Sequence, residues 1–210
     1  MGIIMKSILI SIKPKWVAKI LNGEKTIEVR KNKALASAIQ KLIDENGYAD
    51  IYVYCSKSNT QYLIGSKNKV CEILTKSAGA TFSPNIDKYI GNGKVIFKFR
   101  CYKVGVIHDF IESLEETEPS NRHITISNQE ELLSKSCLTK EEIKTYGGNY
   151  AIHINDLEIF DKPKELSEFY KVGHYEDLDD YFTDEKHING KWCIPLTKAP
   201  QNFCYVEELL

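Results

Sequence analysis

Ser7–Lys31 reads SILISIKPKWVAKILNGEKTIEVRK, and its punctuation sets the start of the fold. Ile8, Leu9, Ile10 and Ile12 form an apolar run of the length of a buried strand. Pro14 ends that run and suits the first turn of a helix, where its missing N–H costs nothing. Trp16, Val17, Ile20 and Leu21 then recur at helical spacing, and Gly23 follows where a left-handed cap wants no Cβ. From Thr26 the pattern changes to alternation. Thr26, Glu28 and Arg30 share one face of a second strand, and Ile27 and Val29 the other.

That alternation sets Glu28 beside Arg30, with Lys25 at the mouth of the strand. The ordinary reading is a solvated ion pair next to a surface lysine, which contributes little. The chemical reading is an ammonium, a carboxylate and a guanidinium converging on one hollow.

Outward from this stretch, Ala34, Leu35, Ala38, Ile39, Leu42 and Ile43 predict an amphipathic helix stopped by Gly47. Ala49–Cys55 is bulky on both faces, as in a strand buried on both sides. Residues 57–92 carry short strand or helix-turn signals between turns. Gly93–Ile107 is the longest strand candidate, with Lys98, Arg100 and Tyr102 on one face. Cations around an aromatic suit phosphate and a stacked base, and they equally suit a half-exposed strand. Thr139 and Glu142 spell a capping box, and Gly147 ends the helix they open. Tyr150–Ile154 reads as a strand carrying His153. A short strand over Leu157–Phe160 is followed by Pro163, which opens a predicted helix over Leu166 and Phe169. The last strand lies within Trp192–Val206, where Pro195 and Pro200 exclude an uninterrupted central strand.

The 210 residues suit one elaborated domain spanning 1–210. No apolar run of membrane-spanning length occurs, so no membrane partner is expected, and the first residues run straight into a strand rather than forming a leader. Six cysteines are scattered without a C-x-x-C pair, which points to reduced thiols, a cytoplasmic location and no zinc site. No cofactor is implied. The net charge of −1 conceals a split. Residues 1–35 carry eight Lys/Arg against two Glu, whereas residues 156–185 carry eleven Asp/Glu against three Lys. A basic face for an anionic partner, or simply a lysine-rich solvated surface, accounts for the first.

Gly23, Lys25 and Arg30, in the context KILNGEKTIEVRK, spell G-x-K-x-x-x-x-R after a short helix. This resembles the signature of the ASCH family, whose fold is a PUA-like pseudo-β-barrel. GKVIFKFRCYKV (Gly93–Val104), GNYAIHINDLEIFDKPKELSEF (Gly148–Phe169) and LTKAPQNFCYVE (Leu196–Glu207) resemble segments of its phage and prophage members, in the same order. The resemblance covers most of the chain, with insertions at about 62–90 and 107–135. It implies a mixed α/β fold with a mainly β core, a pseudo-barrel with flanking helices, and RNA or a nucleotide bound in a central cleft. Lys13, Lys25, Arg30 and Arg100 would meet phosphates, a tyrosine such as Tyr54 would stack, and Gln201 and Asn202 would lie near the cleft. His153, read from its strand alone, is either a site residue or a half-buried wall residue.

Some ASCH proteins hydrolyse N4-acetylcytidine with a lysine, a threonine three residues on and a glutamate near a later helix. Lys25 matches the lysine. Glu28 stands at the threonine position, and the glutamate position falls near Ser136, with Glu131, Glu141 and Glu142 close in sequence. A small hydrolase, nucleoside amidohydrolase or ribonuclease, would then use Lys25 and Glu28, the carboxylate as general base. A prophage-associated protein-interaction module is the third possibility, with the acidic 156–185 stretch as its contact.

Overall fold

The computed structural model describes residues 6–66, 71–76, 88–107, 124–125, 129–172, 186–188 and 191–208. Parts of both expected insertions (67–70, 77–87, 108–123 and 126–128) and the later part of the acidic stretch (173–185) lie outside the described residues.

The opening elements follow the sequence punctuation. They are β1 (Ser7–Ile12), α1 (Pro14–Leu21) and β2 (Ile27–Arg30). The N–H groups of Trp16 and Val17 donate to the Lys13 carbonyl and close the first turn behind Pro14. Gly23 sits at φ +76°, where a Cβ would be strained. The next helix, α2 (Lys33–Asn46), starts at Asn32, whose side-chain oxygen accepts from the N–H groups of Ala34 and Leu35. After it come β3 (Ala49–Cys55), β4 (Gln61–Ser66), β5 (Cys71–Thr75) and β6 (Lys88–Ile90). β3 is buried on both faces, as its bulky residues predict.

Residues 93–107 are not one strand. They divide into β7 (Val95–Cys101) and β8 (Val104–Val106), and β8 pairs in a different sheet from β7. The Lys103 carbonyl, at the break, accepts from the backbone of His153 and from the Cys101 thiol. A short strand, β9 (Ile124–Thr125), precedes α3 (Gln129–Ser136) and α4 (Lys140–Tyr146), and the predicted Thr139–Glu142 capping box is formed.

β10 (Tyr150–His153) leads to β11 (Asn155–Lys164), the longest strand described. The helix expected after Pro163 is not there. Pro163 lies inside β11 at the edge of its sheet, where a missing N–H breaks no ladder, and only a 3₁₀ turn (Leu166–Glu168) follows. β12 (Phe169–Val172), β13 (Lys186–Ile188), β14 (Lys191–Pro195) and β15 (Phe203–Glu208) complete the chain.

The fold is mixed α/β and mainly strand. An eight-stranded sheet has the order β11-β7-β3-β1-β15-β12-β14-β13, a four-stranded sheet β2-β10-β8-β9, and a three-stranded sheet β5-β4-β6. Among the described residues no sheet closes into a barrel. The chain forms two compact units. One comprises the chain through Leu21, Asp50–Lys98 and Glu158 onward; the other comprises Asn22–Ala49 and Phe99–Leu157.

In the first unit Leu9, Tyr52, Tyr54, Val95, Phe169 and Val206 pack together, and the Tyr52 and Phe169 rings meet edge-on with centroids 4.9 Å apart. α1 packs on β4 and β5. In the second unit Ile27, Ala151, Ile107, Leu132 and Ile143 form the core between the four-stranded sheet and helices α3 and α4. α2 contacts β8 and β10 of that sheet. The described residues contain no helix long and apolar enough to cross a membrane.

Candidate functional site

The second unit holds Lys25, Glu28, Arg30, Arg100 and His153. In the β2–β10 pair, Glu28 lies opposite Ile152, Ile27 opposite His153 and Arg30 opposite Tyr150. The ordinary reading of Glu28 and Lys25 as solvated fails on burial: Lys25 is 2% exposed and Glu28 6%. The face opposite Ile27 is therefore also covered.

Lys25 Nζ donates to the carbonyl oxygens of Ile27 and Ser136, both at 2.8 Å, and lies 3.3 Å from Glu28 Oε2. Three acceptors thus surround an ammonium that has three protons. The other carboxylate oxygen, Oε1, stands 2.9 Å from Arg30 Nε as an ion pair, and the Arg30 side chain is 20% exposed. The charges form a chain of three: a locked ammonium, a shielded carboxylate and a guanidinium that reaches solvent. Removing an ammonium from water costs several kcal/mol, which pairing offsets only when the geometry is good. Burial pulls the Lys25 pKa down from its usual range, and the neighbouring Glu28 carboxylate opposes that shift.

The end of α3 explains why Lys25 is held so closely. The last carbonyls of a helix lack partners within it and carry the negative end of its dipole. Here the Lys135 carbonyl accepts from Thr26 N–H and the Ser136 carbonyl from Lys25 Nζ. Cys137, at φ +54°, turns the chain out of the helix, and Leu138 N–H returns to the Leu133 carbonyl. The Cys137 thiol donates to the Glu24 carbonyl at 3.2 Å.

Ser136, near which the resemblance sets a glutamate, therefore meets Lys25 through its backbone. Of the glutamates close to it in sequence, Glu142 closes the helix cap and Glu131 pairs with Lys135. Glu28 Oε2 is the carboxylate oxygen paired with Lys25 among the described residues.

His153 is half-buried. Its Nε2 is shielded from solvent and has no hydrogen bond among the described residues. Burial lowers its pKa, the Lys103 and Lys135 cations lower it further, and Glu131 pulls the other way. Arg100 is exposed, with its guanidinium 4.5 Å from the centroid of the Tyr48 ring. Sequence reasoning missed Tyr48, which follows the Gly47 helix stop with no pattern to mark it, and Asp156, whose positive φ nothing in the residue order announces.

Lys13, Tyr54, Gln201 and Asn202 belong to the first unit. Lys13, Gln201 and Asn202 are exposed. Tyr54 is 5% exposed within the core, so its ring is packed there instead of being presented to a base. Lys98, also in that unit, pairs with Glu158 at 3.1 Å. Among the described residues no group of three or more His, Cys, Asp or Glu is placed to hold a metal ion. Neither the protein-family models nor the curated proteins give a match to this chain.

Proposed function

We propose that this chain is an ASCH-type, PUA-like protein of the cytoplasm that binds RNA or a nucleotide in a cleft edged by Gly23, Lys25 and Arg30. The observation that carries this reading is the burial of Lys25 and Glu28 as a pair that ends in Arg30, whose side chain is mostly buried but reaches solvent. Apolar residues would fill such a place at lower cost, and perturbed, desolvated charges concentrate at sites. A guanidinium fixed by a buried carboxylate suits a phosphate, which it meets with a planar fork of donors. Cys55, Cys71, Cys101, Cys137 and Cys204, the cysteines whose side chains are described, are free thiols, which fits a reducing compartment.

Fluorescence anisotropy with a labelled single-stranded RNA tests the reading. The logarithm of the affinity should fall linearly with the logarithm of salt concentration as counterions are released. No binding at low salt, or binding indifferent to salt, overturns it.

A second reading, hydrolysis by Lys25 and Glu28, is favoured by the lowered Lys25 pKa. A lysine that gives up its proton more readily serves as a base or nucleophile. Against it, Lys25 points its protons at two carbonyls of its own chain. Incubation with N4-acetylcytidine and with single-stranded RNA separates the two: turnover lost in Lys25→Arg supports the enzyme, and absence of turnover leaves binding.

A further inference from the structure

We propose that Tyr102, braced by Tyr48, Arg100 and Asp156, is a stacking platform for one base of a single-stranded RNA, with Arg100 meeting an adjoining phosphate. This deepens the RNA-binding reading and rests on it.

Among the described residues the exposed large hydrophobic side chains are Tyr102, 45% exposed, and Leu157, 36% exposed. They belong to one place in the fold, because Leu157 follows Asp156 and the Asp156 carboxylate accepts the Tyr102 hydroxyl. Tyr102 is thus open to solvent and yet fixed. Its ring lies 6.1 Å from that of Tyr48, tilted by 58°, and the Arg100 guanidinium covers the Tyr48 ring.

Asp156 holds φ +45°, a left-handed conformation that Asp and Asn adopt more readily than other residues with a Cβ, and from there its carboxylate reaches the Tyr102 hydroxyl. A surface tyrosine needs no such anchor for stability. Holding the ring in one orientation lowers the entropy lost when a base stacks on it.

The platform belongs to the same compact unit as the buried charges, at the break between β7 and β8. Tyr102 precedes Lys103, whose carbonyl accepts from His153 N–H, and His153 lies opposite Ile27, the residue before Glu28. The occupant follows from chemistry. An aromatic face takes any base, Arg100 and Lys103 supply cations for the backbone, and only an unpaired strand offers an open base face.

The test uses the full chain and a short single-stranded RNA carrying 2-aminopurine, read by anisotropy and by fluorescence quenching. Tyr102→Ala should weaken binding by about tenfold and abolish the quenching, whereas Tyr102→Phe, which keeps the ring and loses the Asp156 anchor, should keep the quenching and bind with an affinity between the two. Thermal melts of the variants confirm that each is folded. Binding unchanged in Tyr102→Ala, or Tyr102→Phe as weak as Tyr102→Ala, overturns the platform and leaves the RNA-binding reading standing. A wild-type chain that binds no RNA overturns both.

Discussion

The ammonium of Lys25 lies 2.8 Å from the carbonyl oxygen of Ser136, 111 residues further along the chain. One side chain thereby joins the turn before β2 to the last turn of α3. Beside it, Thr26 N–H takes the Lys135 carbonyl, and the Cys137 thiol takes the Glu24 carbonyl. The turn that presents Glu28 and Arg30 is fixed by a helix end supplied from a distant part of the sequence.

Lys25→Met should therefore destabilise the protein by about 3 kcal/mol, because two buried carbonyls and Glu28 Oε2 lose their cation while Oε1 keeps Arg30. Adding Glu28→Gln should restore part of the loss, so the double variant falls short of the sum of the singles. Urea denaturation monitored by circular dichroism measures both. A loss within about 0.5 kcal/mol, typical of an ordinary surface position, would contradict the buried pair.

The pH dependence of stability should show His153. Its folded pKa lies below the usual value of 6.5, so as pH falls beneath 6.5 the unfolded chain takes up a proton that the fold resists. Stability contributed by the neutral ring is present above that pH and is lost on acidification. Lys103 and Lys135 reinforce the effect and Glu131 opposes it. In melting-temperature profiles, His153→Gln should flatten the fall on the acid side; a profile parallel to wild type would show that the ring titrates as it does in solvent.

Local punctuation was legible in the order of residues, and long-range pairing was not. Pro14, Gly47 and the Thr139–Glu142 box announced their helices because capping is settled within four residues. Pro163 misled. The same ring that opens a helix is also tolerated on an edge strand, and only the sheet order shows β11 to be one. The alternation of Thr26–Arg30 placed Glu28 next to Arg30 correctly. It could not show that α3 covers the end of that strand, since Ser136 carries no side-chain signal and acts through its carbonyl. Tyr102 stood out only as a member of a strand face, and its partners Tyr48 and Asp156 come from elsewhere in the sequence.

The buried thiols should resist modification and make the protein sensitive to alkali. Burial raises Cys55 to about 12 and Cys71, Cys101 and Cys204 to about 11. At pH 8, a thiol reagent should label the half-buried Cys137 before the buried Cys55, Cys71 and Cys101. Because their folded values exceed the usual 9, the stability they contribute is complete below pH 9 and is lost as pH rises through 11 to 12. Early labelling of Cys55 or Cys101 by mass spectrometry would show the core to be open.

Thr139→Ala should cost about 1 kcal/mol, because α4 loses the hydroxyl that accepts from Glu142 N–H. Thr139→Ser should restore most of it. Equal melting temperatures for the alanine variant and wild type would mean that the cap contributes nothing.

The most direct measurement is a double-mutant cycle on RNA affinity with Glu28→Gln and Arg30→Gln. If Glu28 serves by aiming Arg30, Glu28→Gln should weaken RNA binding in the wild-type background and have no effect once Arg30 is gone. Simple removal of a negative charge would instead tighten binding to an anion, equally in both backgrounds. That second outcome, or an RNA affinity indifferent to Arg30, would contradict the account.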